Sequence, residues 1–178
     1  MNGNNTIVST NEKYNYEKMQ RDLQNLKAKY PFLQLENIGE SVQKRQILCV
    51  RIGTGPNEVM YSGAIHANEW ITALVLMKFI EDFCIAYSSG RDIFEHNAKE
   101  IFTKSSIYIV PMLNPDGIEL VTGNIKEGSS EYAHYKEIAS RFPSIPFPNG
   151  WKANYHGVDL NLQFPADWEK AREIKFAQ

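Results

Sequence analysis

The chain has 178 residues, 43% hydrophobic and 22% charged, which is the make-up of one soluble globular domain with a sizeable core. A net charge of −2 with no basic stripe excludes nucleic acid as a main partner, because phosphate binding needs clustered Lys and Arg. The densest apolar run, ITALVLM, is far too short for a membrane span.

Residues 1–13 are polar and read as a flexible start. They contain no apolar signal-peptide core. With only Cys49 and Cys84, and no disulfide framework, this predicts a cytoplasmic protein. From Tyr14 to Tyr30, the residues Tyr16, Met19, Leu23, Leu26 and Tyr30 recur at three- and four-residue steps. That spacing predicts an amphipathic helix, which Pro31 stops. QILCVRI (46–52) and EVMYSGAI (58–65) are strand-like, and the Gly53–Asn57 turn between them predicts a hairpin. Next, Asn68 is placed to cap a helix whose buried face comprises Ile71, Leu74, Val75, Phe79 and Phe83. Ser88, Ser89 and Gly90 end that helix, and a short helix is expected around residues 91–102. SSIYIVPML (105–113) is continuous in apolar residues, as a strand buried on both faces should be. It runs into NPDG (114–117), a turn signal. SSEYAHYKEIAS predicts a short helix. RFPSIPFPNG then holds three of the eight prolines and predicts an irregular segment, of the kind that rims a site. GVDLNLQF (157–164) reads as an edge of the sheet, and ADWEKAREIKFAQ opens a last helix. Strands alternating with helices predict an α/β domain with a mixed sheet.

The chemistry starts at His66-Ala67-Asn68-Glu69. An imidazole and a carboxylate three residues apart, where a strand hands over to a helix, suit a divalent metal such as zinc. Taken alone, the pair equally suits a surface His and a Glu stabilised by a helix N-terminus. His96, His134 and His156 carry weaker claims. Trp70, Trp151 and Trp168 read as packing residues, Trp151 being the one best placed to touch substrate.

The ordered set of His-x-x-Glu (66–69), NPDG (114–117) and GVDLN (157–161) resembles the zinc carboxypeptidase family. The likeness runs from near Tyr14 to Gln178. WKANYHGVDLNLQFPADWEKA (151–171) is similar to that family's γ-D-glutamyl-L-diamino acid endopeptidase branch, which acts on cell-wall peptides. The resemblance implies a zinc-dependent hydrolase of a peptide substrate derived from murein. It makes His66 and Glu69 zinc ligands and Asp159 the acid that hydrogen-bonds the imidazole. Lys152 stands where the family carries an oxyanion-steadying Arg, and Asn161 where an Asn contacts substrate. Leu162 replaces the Arg that would clamp a free C-terminal carboxylate, so a modified peptide read by other groups, Gln163 among them, is expected. The family's third ligand, a His, and its general-base Glu have no counterpart in these 178 residues. The resemblance therefore implies a C-terminally incomplete catalytic domain over residues 14–178, inactive alone, to which a C-terminal half would supply both groups. Two other readings stay open: a zinc-dependent deacylase of the same fold, and a non-catalytic remnant.

Overall fold

The computed structural model describes residues 6–177. Its centre is a four-stranded mixed sheet. Helix α1 (Tyr16–Lys29) begins where the Asn15 side chain accepts a hydrogen bond from Lys18 N, and it buries Met19, Leu23 and Leu26 as its periodicity requires. Strand β1 (Gln34–Glu40) pairs antiparallel with β2 (Gln46–Ile52), and β2 pairs antiparallel with β6 (Ser105–Val110). Strand β3 (Asn57–Ser62) lies parallel to β6 on its other side, from Asn57 beside Ser105 to Ser62 beside Val110.

The expected β2–β3 hairpin does not form, because β6 inserts between the two strands. A six-residue run as apolar as β6 needs a neighbour on each edge and a covered face on each side. The turn passes over the start of β6 so closely that Cβ atoms at Gly53 and Gly55 would lie 2.1 Å from Ser105 O and 2.0 Å from Lys104 C. Only glycine fits there.

Helix α2 (Ile71–Ser89) connects β3 towards β6 and ends at Gly90 in the left-handed conformation (φ 66°). Its buried face is Leu74, Met77, Ile80, Phe83 and Cys84, whereas the expected core residues Ile71 and Val75 are 50% and 61% exposed. The helix is apolar nearly all round, so periodicity alone could not fix which stripe faces the sheet. The exposed stripe borders a hollow shared with Tyr61 of β3, itself 51% exposed. Around residues 91–102 the chain makes two short paired strands, β4 (Asp92–Ile93) and β5 (His96–Asn97), and then α3 (Ala98–Lys104). Helices α4 (Pro115–Val121), α5 (Ser130–Ala139) and α6 (Trp168–Phe176) follow β6. The main core lies between the sheet and helices α1 and α2; a second cluster gathers Tyr135 and Trp151 around α4 and α5. Of the stretch read as a flexible start, residues 1–5 lie outside the described residues. Residues 6–13 run against the core: Val8 is buried and Ile7 N donates to Glu81 Oε1 at 2.6 Å.

Candidate metal centre

The parallel pair β3 and β6 carries the site at its carboxyl end, where ligands collect in sheets of this kind. Beyond the strands the two chains stay zipped. Leu113 N donates to Gly63 O, and Asn114 N to Ala64 O, both at 3.0 Å. Thr72 Oγ1 accepts from Ala64 N at 2.7 Å and donates to Glu69 O at 2.8 Å, closing the turn from strand to helix. Within it, Ala67–Glu69 form a single 3₁₀ turn. Asn68 does not cap α2 as expected: it lies inside this turn, and its buried Oδ1 has no hydrogen-bond partner among the described residues.

The 3₁₀ turn brings Glu69 back over His66. Glu69 Oε1 lies 3.0 Å from His66 Nδ1, while Asp159 Oδ1 lies 3.1 Å from His66 Nε2. The His66 side chain is 15% exposed and Glu69 49%. An ionised carboxylate only accepts hydrogen bonds, so one hydrogen cannot serve both ring nitrogens of a neutral imidazole. Asp159 belongs to the better shielded contact and has a second bond to keep its place, accepting from Asn161 N at 3.1 Å. With the ring hydrogen on Nε2, the Nδ1 lone pair and the Glu69 lone pair face each other, and a cation between them removes their repulsion. Two zinc donors with bonds of about 2.0–2.1 Å at a tetrahedral angle stand roughly 3.3 Å apart. The pair therefore suits zinc as two of its ligands. Among the described residues no group of three or more His, Cys, Asp or Glu is arranged to hold a metal.

Asn114 holds the parts together, and the sequence reading missed it. Its Nδ2 donates to Ile65 O (3.3 Å), Lys152 O (3.3 Å) and Ala153 O (3.0 Å), and its Oδ1 accepts from Gly117 N (3.1 Å). Thus NPDG is not a free turn but the start of α4. Asn114 is its cap, with Pro115 in the first helical turn. Gly117 lets that helix touch the site: a Cβ there would lie 2.6 Å from Ala67 Cβ and 2.8 Å from Ala153 O. Asp116 makes its hydrogen bonds at the β1–β2 turn and not with His66 or Glu69. It accepts from Arg45 Nη1 and Ser41 Oγ at 2.7 Å and from Gln43 N at 3.1 Å, pinning the β1–β2 turn. Asparagine before proline was a readable cap signal, but its three carbonyl partners were not.

Ala67 N also donates to Lys152 O at 3.1 Å, so the Trp151–Ala153 segment lies against the His66 turn. The Lys152 side chain is exposed and its ammonium makes no hydrogen bond or ion pair among the described residues. GVDLN is not a strand. Asn154 Oδ1 accepts from His156 N and Val158 N, Gly157 takes φ 77°, and Leu160–Gln163 form a 3₁₀ turn capped by Asp159. That geometry aims Asp159 at His66. Asn161 and Gln163 are exposed, and Gln163 Nε2 donates to Asp159 O at 3.1 Å.

The sequence matches the family model for zinc carboxypeptidase (peptidase M14) over residues 19–177. The chain belongs to the zinc carboxypeptidase family. It is 39% identical over 163 residues to gamma-D-glutamyl-L-diamino acid endopeptidase 1 of Lysinibacillus sphaericus, covering 92% of this chain and 40% of that protein. It is 31% identical over 158 residues to the uncharacterized protein YqgT of Bacillus subtilis, covering 88% and 41%. The chain thus spans about two fifths of the length of these curated relatives. Among solved structures, the carboxypeptidase A from Helicoverpa armigera superposes with a TM-score of 0.54 at 26% identity, covering 68% of this chain and 30% of that one. A metallo-carboxypeptidase from Burkholderia cenocepacia gives 0.60 at 16% identity over 92% and 38%, which shows the shared fold. The mixed α/β sheet is thus part of a zinc carboxypeptidase fold. No described helix is long and apolar enough to cross a membrane.

Proposed function

We infer that this chain carries the metal-binding half of a zinc peptidase that hydrolyses the γ-D-glutamyl-diaminopimelate amide of murein-derived peptides. One observation carries the reading: both nitrogens of His66 face carboxylates, Glu69 at 3.0 Å and Asp159 at 3.1 Å. His66 Nδ1 and Glu69 would hold one zinc ion, which when bound polarises a carbonyl and acidifies a water. Asp159 keeps the proton on Nε2 and fixes the direction of the ring. The free Lys152 ammonium is the cation for an oxyanion, a point charge where an Arg would offer a fork. Asn161 and Gln163, next to Asp159, are the proposed substrate contacts. The substrate class rests on the likeness to the Lysinibacillus endopeptidase and on Leu162, which leaves no guanidinium beside Asn161 to clamp a free carboxylate.

The third ligand, a His, and the general-base Glu belong to a C-terminal half, without which this chain is inactive. The relatives' greater length supports this, as does β3. Among the described residues the outer edge of β3 is unpaired, and it exposes Val59, Met60 and Tyr61. The two buried, unpaired thiols support a reducing, cytoplasmic setting.

The test uses a form extended to the relatives' length. His66→Ala should abolish tight zinc binding and hydrolysis of a γ-D-glutamyl-diaminopimelate muropeptide. Lys152→Met should lower kcat about 10²–10³-fold with zinc retained. Full activity in His66→Ala removes the metal assignment. Cleavage of N-acyl amino acids in place of the muropeptide would make the protein a deacylase, and no turnover of either would make it a remnant.

A further inference from the structure

Residues 7–16 precede the stretch matched by the family model, which starts at residue 19, yet they are bonded into the core. Three buried carboxylates on three different helices take donors from this segment. Glu81 of α2 accepts from Ile7 N at 2.6 Å, Asp22 of α1 from Tyr14 Oη at 3.0 Å, and Glu119 of α4 from Tyr16 N at 3.0 Å. Val8 and Tyr14 are buried along the same segment. A buried carboxylate that loses a donor is costly, so each of these anchors favours the docked segment.

Glu119 is the anchor that reaches the site. It stands about 7.5 Å of helix beyond Asn114. Every residue of α4 is buried, and the helix packs against both the Ala67–Glu69 turn and α1. Its near end carries Asn114 and Gly117 against the His66 turn. Its far end is gathered by Glu119. Oε1 accepts from Tyr16 N, Oε2 from Asn124 Nδ2 at 2.9 Å, and the backbone O from Asn124 N at 2.9 Å and Ile125 N at 3.1 Å. Tyr16 N is one of the donors that the first turn of a helix cannot satisfy internally, and a carboxylate there also suits the dipole of α1. Lys13 Nζ donates to Val121 O at 3.4 Å, a cation at the carboxyl end of α4.

We infer that Glu119 is a positioning residue for the metal centre. Through Tyr16 N it ties the far end of α4 to the start of α1, and so sets Asn114 against the carbonyls of Ile65, Lys152 and Ala153. The His66 turn and the Lys152 segment then hold their places while the segment before α1 stays docked. A helix this short and this fully buried moves as one body, so displacement at Glu119 reaches Asn114. A packing role alone would lower stability evenly, with no particular effect at the site. The consequence for zinc rests on the metal-site reading above; the coupling itself does not.

Amide hydrogen exchange of this chain, followed by NMR without metal, tests it. Ala67 N, bonded to Lys152 O, and Gly117 N, bonded to Asn114 Oδ1, report on the site, and the paired amides of β2 and β6 report on the fold. Glu119→Ala should speed exchange at Ala67 and Gly117 about tenfold more than in the sheet. Glu119→Gln keeps an acceptor for Tyr16 N and should recover most of that loss. Tyr16→Pro is the milder variant. Asn15 is already extended (φ −115°, ψ −179°) and proline suits the first position of a helix, so against Tyr16→Ala it removes the N–H alone. It should speed the two site amides about tenfold relative to Tyr16→Ala. Leu26→Ala, a core truncation in α1, should lower Tm with no such excess at the site. Site amides that merely follow the sheet amides in Glu119→Ala, or that match Tyr16→Ala in Tyr16→Pro, overturn the positioning role. Zinc titration of His66 is scored separately. Faster site exchange with a His66 ring indifferent to zinc in the wild type supports the coupling and fails the metal reading. A zinc response with no excess exchange in the variants overturns the coupling alone.

Discussion

Replacing Asn114 should loosen the whole site, although its side chain bonds to neither the His66 nor the Glu69 side chain. Its Nδ2 has two hydrogens spread over the carbonyls of Ile65, Lys152 and Ala153, and its Oδ1 caps α4 through Gly117 N. Asn114 is 2% exposed, so water cannot replace these bonds. In Asn114→Ala, two neutral hydrogen bonds at about 1 kcal/mol each and a cap of about 1 kcal/mol disappear. Lys152 O keeps Ala67 N, and Ala153 O keeps the Trp151 indole, so the Ile65 carbonyl is the group most exposed to the loss. The total is about 3 kcal/mol, or a fall in Tm of roughly 10 °C for a domain of this size. Asn114→Asp discriminates between accounts. Aspartate caps a helix as well as asparagine and suits its dipole better, so a capping role alone predicts no loss. The clamp predicts that Asp is worse than Ala, because a carboxylate oxygen then faces three carbonyl oxygens about 3 Å away. Urea unfolding of the three proteins decides. An Asp variant as stable as the wild type would refute the clamp.

Three further outcomes follow from other contacts. A double-mutant cycle of Asp116→Ala with Arg45→Ala, read by urea unfolding, should give a coupling of about 1–3 kcal/mol for this part-buried pair; additive losses would contradict it. Asp159→Ala should weaken zinc binding about 10–100-fold in chelator competition, and unchanged affinity would deny Asp159 its hold on His66. Burial pushes the Cys84 thiol up to about 12, from about 9 when unfolded. Between those pH values the unfolded chain sheds a proton that the folded chain keeps, so this thiol's contribution to stability falls as pH rises. At pH 8, Ellman's reagent should leave Cys84 unmodified in the folded chain and label it in urea; rapid native labelling would contradict its burial.

The elements defined by local pattern were legible. The three-four spacing gave α1, the continuous apolar run gave β6, and Gly90 gave the end of α2. Sheet order was not legible. The insertion of β6 between β2 and β3 depends on a pairing that brings together residues about fifty positions apart, with only two glycines to hint at the close crossing. The facing of α2 was equally hidden, since a helix apolar on most sides has no unique stripe. At the site, His66, Glu69 and Asp159 could be named from motif order, and the structure gathers those three. Asn114 was visible only as a cap. Its carbonyl partners lie 38, 39 and 49 residues away, and backbone carbonyls carry no sequence signature.

The central claim is that His66 offers Nδ1 to a metal while Asp159 holds the proton on Nε2. The most direct measurement is a zinc titration of this chain followed by ¹⁵N NMR of the His66 ring. The account predicts that zinc moves the Nδ1 resonance, leaves Nε2 protonated, and has no such effect in Glu69→Gln at the same zinc concentration. Zinc bound through Nε2, or a His66 ring indifferent to zinc at saturation, would contradict it.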